Sequence, residues 1–211
     1  MKQVPRFMLV RDGFYAQPQA VHGAAQAAQY HEPEHCTGFR SAAVYHEPGV
    51  RKRLERLLGV RITRWDTDPA EGNGVFYQGF SAGTRAEVPG VHADWPYDDI
   101  TCVVYLTPGL PPDCGTSLWQ HRATGLETAP AVSDARRLGR PLAELRQTLD
   151  RDAQRRERWI EIDRAGYRFN RLVAYPSAVL HSATRHHGQS SAHGRLYQTF
   201  RVGVDWSSFV Q

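Results

Sequence analysis

The sequence predicts a mainly β fold, an antiparallel sandwich or barrel with flanking helices, and three observations predict it. From Val60 onward the chain breaks into short β-rich runs, VRITRWDT, GVFYQGFSAG, TCVVYLT and GTSLWQH, separated by turn residues. Strand periodicity lapses between about Ala131 and Glu157 and returns in WIEID, FNRLVAYPS and GRLYQTFRVGVDW. A length of 211 residues, 41% of them hydrophobic, fits one domain with a well-buried core and a helical insertion.

Taken in order, residues 1–59 read as a helical or mixed support. Within them HGAAQAAQY suits a short helix or a strand-to-helix lead-in. VRKRLERLLGV sets Val50, Leu54, Leu57 and Leu58 at helical spacing and stops at Gly59, which gives an amphipathic helix with a basic, solvated outer face. Residues 60–130 and 158–206 carry the strands. Residues 131–157, including RPLAELRQTLDRDAQRRERW, read as a helical insertion, with Pro141 near a helix start and Leu142, Leu145 and Leu149 on one face. No internal repeat and no low-complexity linker interrupts this order.

Composition narrows the function classes. The net charge is only +4, and the arginines are interleaved with Asp150, Asp152, Glu157, Glu161 and Asp163. A nucleic-acid binder would present an unbroken basic stripe with stacking aromatics, so this pattern argues against one. The apolar runs are too short to span a membrane and the N-terminus has no signal-peptide core, so a cytoplasmic protein is expected. Cys36, Cys102 and Cys114 offer neither a disulfide framework nor a Cys-x-x-Cys unit and are expected as reduced thiols.

The chemistry concentrates in VHADWPYDDITCVVYLTP, residues 91–108. Side chains alternate along a strand, so His92 and Asp94 fall on one side. An imidazole and a carboxylate presented together are two of the three donors of a 2-His-1-carboxylate facial triad. Alone, a His-x-Asp pair is more often an ordinary ion pair. A third donor arrives in RLVAYPSAVLHSA, where His181 follows a strand and a proline turn. His186, His187 and His193 sit instead in the polar loop HHGQSSAHG, a poorer mount for a ligand than a strand end. Arg195 then opens the strand GRLYQTFRV. Its guanidinium is a bidentate match for a carboxylate, and buried in a barrel it would need one.

This set, His-x-Asp, a distal His and an Arg shortly after it, resembles the iron(II)- and 2-oxoglutarate-dependent oxygenases, in particular their small bacterial members. The resemblance covers about residues 60 to 206. It implies a double-stranded β-helix, the jelly-roll barrel also found in cupins, over a single domain spanning 1–211. It implies Fe(II) held by His92, Asp94 and His181, 2-oxoglutarate as cosubstrate with its distal carboxylate on Arg195, and O2 as oxidant. Family members place a Ser or Thr two residues after the arginine. Here that position is Tyr197, and Tyr77, Tyr105, Tyr197 and Thr199 are the candidate hydroxyl donors to the cosubstrate.

Halogenating members have a small residue at the carboxylate position, so Asp94 points to hydroxylation or a related oxidation such as desaturation. The substrate is expected to be a small molecule, an amino acid or a peptide residue. The candidate pocket residues are Trp95, Tyr97, Trp119, His121 and Arg122, whose aromatics and guanidinium suit an apolar body bearing a carboxylate. Two other readings stand beside this one. A cupin-like metal enzyme that does not use 2-oxoglutarate would have no need of Arg195, and a non-catalytic barrel would use the cavity only to bind.

Overall fold

The computed structural model describes residues 6–32, 38–81, 89–94, 99–190 and 193–208. In chain order the elements are β1 (Leu9–Asp12), α1 (Pro18–Ala27), β2 (Tyr30–His31), β3 (Phe39–Ser41), α2 (Val50–Leu58), β4 (Arg61–Arg64), β5 (Val75–Gly79), β6 (Ile100–Tyr105) and β7 (Thr116–His121). There follow α3 (Val132–Leu138), α4 (Leu142–Asp152), β8 (Trp159–Ala165), β9 (Arg171–Pro176), β10 (His181–Ala183) and β11 (Arg195–Asp205). Cys36, Trp95 and Tyr97 lie outside the described residues. Cys102 and Cys114 are free and buried.

The strands form two sheets, and every pairing is antiparallel. The larger, eight-stranded sheet runs β1-β9-β6-β11-β5-β3-β2, with β4 also paired to β11, and the smaller runs β10-β7-β8. Neither sheet closes into a barrel among the described residues. The N-terminal third does more than support the strands that follow: β1 extends the large sheet beside β9, and β2 and β3 extend its other edge beyond β5.

Period-two alternation divides the large sheet into two apolar faces. Val103 and Tyr105 of β6 and Val173 and Tyr175 of β9 face the small sheet, where they meet Leu118 and Val179. Cys102, Val104, Leu172, Ala174, Leu196, Phe200 and Val202 face the other way, onto Val21 and Ala25 of α1 and Leu54 and Leu58 of α2. A strand covered on both sides should be apolar throughout, and all six residues of β6 are buried. The layers are therefore helices, large sheet, small sheet and, on the outer face of the small sheet, α4, whose Leu149 packs with Trp119, Trp159 and Leu180.

The helices follow their local chemistry. Val50, Leu54 and Leu58 are the buried stripe of α2, and Gly59 ends it in the left-handed conformation at φ +66°. The stretch expected as one helical insertion is two helices. Gly139, at φ +62°, closes α3, and Pro141, which cannot continue a helix from behind, starts α4 anew. No helix among the described residues is long and apolar enough to cross a membrane.

Two buried polar side chains tie the layers. The Tyr15 hydroxyl meets Gln198 Oε1, and Gln198 Nε2 donates to the carbonyls of Tyr45 and Gly74. Asn170, at φ +61°, accepts the Tyr15 amide on Oδ1 and donates from Nδ2 to the Tyr15 carbonyl, each at 2.8 Å. Asn is among the few residues at ease in the left-handed region. Asn170→Ala should therefore strand two buried backbone groups and add conformational strain, costing about 2 to 4 kcal/mol in urea unfolding. A loss under about 0.5 kcal/mol would contradict this role.

Candidate metal centre

His92 and His181 are brought together by their backbones. His92 N donates to His181 O at 3.0 Å and His181 N to His92 O at 2.8 Å, an isolated antiparallel bridge joining the segment ahead of β6 to the start of β10. Asp94 is fixed one step on, its amide donating to Ser177 O at 2.9 Å. His92 Nε2 then lies 3.8 Å from Asp94 Oδ1 and His181 Nε2 lies 3.4 Å from Asp94 Oδ2. One ligand atom from each of the three residues falls within 4.8 Å of the others.

The histidine protons are positioned by the same segments. His92 Nδ1 faces Gly90 O at 3.0 Å and His181 Nδ1 faces Val179 O at 2.8 Å. A carbonyl can only accept, so each Nδ1 carries the proton and each Nε2 presents a lone pair toward Asp94. That is how a metal-binding imidazole is usually oriented. Thr101 Oγ1 donates to Asp94 Oδ2 at 2.7 Å and contacts Ser177 Oγ at 2.8 Å. Burial would push the Asp94 carboxyl up, but the charge and hydrogen bond that a protonated His181 offers, with the charges of a protonated His92 and of Arg201, hold it well below the ordinary carboxylate range; a bound metal takes the place of those Nε2 protons and leaves both imidazoles neutral. An anionic oxygen pair beside two neutral imidazole nitrogens is the donor chemistry of a divalent first-row metal site.

The triad opens on a cavity of about 380 Å³ between the two sheets. Its walls include Tyr77, Thr101, Val103, Thr116, Tyr175, Tyr197 and Thr199, with Arg195 toward one end and Arg201 toward the other. Arg195 is 4% exposed. Its guanidinium is packed between the rings of Tyr197 and Tyr105, 4.3 and 5.0 Å from their centroids. Nη2 makes only long contacts of 3.4 Å to Gly115 O and Thr116 Oγ1, Nε has no hydrogen-bond partner, and no carboxylate among the described residues forms an ion pair with it.

Of the residues expected at the cosubstrate, Tyr77, Tyr197 and Thr199 line the cavity, with Tyr77 stacked on Tyr197 at 5.3 Å. Thr199 Oγ1 is engaged with Gly72 O at 2.9 Å. Tyr105 lies behind Arg195 and spends its hydroxyl on Thr116 Oγ1 at 2.8 Å. Among the residues expected at the substrate, Trp119, His121 and Arg122 do not line the cavity. Thr116 and Leu118 take the inward positions of β7, so Trp119 and His121 turn outward to α4. There Trp119 stacks against Arg156, and fully buried His121 meets Thr124 Oγ1 at 2.9 Å and Asp152 Oδ2 at 3.2 Å. Arg122 is exposed beyond the strand end.

Thr101, Thr116, Tyr175 and Arg201 are cavity residues that the motif did not reveal. Alternation would have found two of them: Thr101 is two before Val103 on β6, and Arg201 is three strand periods beyond Arg195 on β11.

Comparison with known proteins follows the same outline. The model of a family of unknown function, DUF6445, matches residues 86–200. No curated protein matches the chain. Among solved structures, HygX from Streptomyces hygroscopicus with nickel and 2-oxoglutarate bound is similar in fold. It is 13% identical, with a TM-score of 0.51, and the match covers 94% of this chain and 83% of that one. The same protein with nickel, 2-oxoglutarate and hygromycin B bound is 14% identical over 94% and 83% of the two chains, with a TM-score of 0.44.

The two buried networks should separate in solution. Thr101→Val removes the donor to Asp94 and should weaken uptake of nickel or ferrous ion about 10- to 100-fold. His121→Ala should leave metal uptake as in wild type while costing about 1 to 3 kcal/mol of stability through its lost buried contacts. Metal titration and chemical unfolding of both variants check this. Loss of metal in His121→Ala with retention in Thr101→Val would reverse the assignment.

Proposed function

We propose that this chain, which belongs to the DUF6445 family, is an iron(II)- and 2-oxoglutarate-dependent oxygenase. It would be built on a double-stranded β-helix and would hydroxylate an unactivated C–H bond of a small molecule, an amino acid or a peptide residue. The observation that carries this reading is Arg195: a guanidinium 4% exposed, without a carboxylate partner among the described residues, in the same cavity as His92, Asp94 and His181. A buried charge without a carboxylate partner costs several kcal/mol, which a bound carboxylate would offset. A diacid that also chelates a metal is the ligand chemistry that answers Arg195 and the triad together. HygX, similar in fold and bound to nickel and 2-oxoglutarate, adds support of that kind.

In this reading His92, Asp94 and His181 hold the metal, and the lone pairs directed by Gly90 O and Val179 O set the two imidazoles for it. Ferrous iron with 2-oxoglutarate and O2 supplies oxidation of a C–H bond coupled to decarboxylation of the cosubstrate to succinate. Thr101 keeps the Asp94 carboxylate oriented. Arg195, flanked by Tyr105 and Tyr197, fixes the distal carboxylate and so the direction in which the cosubstrate lies. Tyr77, Tyr175 and Val103 line a wall that limits water around the reacting carbon.

Two variants test this. Asp94→Ala should lose most bound iron and all substrate-dependent succinate release. Arg195→Ala should retain iron yet bind 2-oxoglutarate roughly 30-fold to several thousand-fold more weakly, the equivalent of about 2 to 5 kcal/mol for a truncated buried pair. An anaerobic titration that follows the visible band of the ferrous 2-oxoglutarate chelate reads both. A wild-type protein that takes up iron but forms no such chelate would favour a cupin-like metal enzyme that does not use 2-oxoglutarate.

A further inference from the structure

Four tyrosines are buried among the described residues: Tyr15, Tyr105, Tyr167 and Tyr175. A phenol withdrawn from water needs a partner for its hydroxyl, and three of the four have one. Tyr15 meets Gln198 Oε1, Tyr105 donates to Thr116 Oγ1 at 2.8 Å, and Tyr167 donates to Thr107 O at 2.9 Å. Tyr175, 2% exposed, is the exception: its hydroxyl makes no hydrogen bond among the described residues. It lines the cavity.

Tyr175 is in register with Thr101 of β6, whose hydroxyl donates to Asp94, and its ring lies 4.5 Å from that of His181. The residue therefore stands at the triad. The ionisable groups around its phenol are Asp94 on that side and Tyr105, Arg195 and Tyr197 on the other. Its hydroxyl thus belongs to the space between the three metal ligands and the buried guanidinium, which a ligand bridging the two would occupy.

Other hydroxyls near Arg195 are committed elsewhere. Tyr105 is spent on Thr116, Thr199 Oγ1 donates to Gly72 O at 2.9 Å, and Tyr197 gives its ring to the guanidinium on one hand and to Tyr77 on the other. A carboxylate has about four acceptor sites, and even a bidentate guanidinium fills only two of them. A neutral donor beside Arg195 has a place to go. An unpaired buried hydroxyl, like an unpaired buried guanidinium, carries a cost that an acceptor entering the cavity offsets.

We propose that Tyr175 is a second binding residue for the distal carboxylate of 2-oxoglutarate, its hydroxyl donating to that group alongside Arg195, and that it makes the cavity select a diacid over a 2-oxo acid ending in a methyl group. The proposal rests on the oxygenase reading above. Sequence pointed to Tyr77, Tyr105, Tyr197 and Thr199 for this hydroxyl, and the donor comes from β9 instead.

The test compares wild type with Tyr175→Phe, which removes one oxygen and keeps the ring against His181. Anaerobic calorimetric titrations of the ferrous protein use 2-oxoglutarate and 2-oxovalerate, which has a methyl group where the distal carboxylate would be. Tyr175→Phe should weaken 2-oxoglutarate roughly 10- to 100-fold, as loss of a hydrogen bond to a charged group does, and should leave 2-oxovalerate and ferrous ion bound as in wild type. Without metal or cosubstrate, the variant should unfold in urea at or above the wild-type midpoint, because the lost hydroxyl strands no protein group. A merely structural hydroxyl would give the opposite result. The proposal is overturned if Tyr175→Phe binds 2-oxoglutarate as tightly as wild type, if it weakens both acids alike, or if the ligand-free variant unfolds at clearly lower urea. A wild-type protein that takes up iron but no 2-oxoglutarate removes the oxygenase reading itself, and the proposal with it.

Discussion

Two reciprocal hydrogen bonds, between the backbones of His92 and His181, hold together segments that are far apart in sequence, the stretch ahead of β6 and the start of β10. Everything in the site takes its place from that junction. It sets the two imidazoles ring against ring, 4.5 Å between centroids, and it brings Asp94 within reach of Thr101 and Ser177. Because the contact is made by main chain, side-chain changes nearby alter the chemistry of the site more readily than its geometry. Rigid strand ends hold such a constellation better than mobile loops.

The second constraint is the pleat. One face of each central strand supplies the apolar contact with the helices, and the other supplies the cavity, so structure and chemistry are written on alternate residues of the same segments. On β11, Leu196, Phe200 and Val202 belong to the core while Arg195, Tyr197, Thr199 and Arg201 belong to the cavity. A shift of one residue in register would exchange the two sets. The Gln198 bridge to Tyr15, Tyr45 and Gly74 gives that register a polar lock inside the helix-facing layer, where an apolar side chain would slide.

How much of this could be read from the sequence depended on whether a residue's role was set by its neighbours in the chain. His92 and Asp94 share a side because a strand has period two, and His181 and Arg195 follow in an order that a motif can carry; the structure gathers all four around one cavity. The helix at Val50–Leu58 is visible in its leucine spacing. Trp119 and His121 were misplaced because the inward residues of β7 are the small Thr116 and the apolar Leu118, and sequence gives no sign of which face meets α4. Strands of two to four residues such as Tyr30–His31, Phe39–Ser41 and Leu9–Asp12 carry too little pattern to be seen, since their pairing is decided by distant partners. Trp95 and Tyr97 fall outside the described residues.

The position of β11 has a consequence for how the protein is made. Among the described residues it follows every other strand in sequence, yet it sits inside the large sheet and pairs with β4, β5 and β6. A nascent chain emerging from the ribosome would therefore carry two halves of a sheet with a gap between them, their edges and apolar faces uncovered, until Arg195–Asp205 arrives to zip them together. The same late segment brings Arg195 and Arg201. Assembly of the sheet and completion of its charged cavity are thus one event.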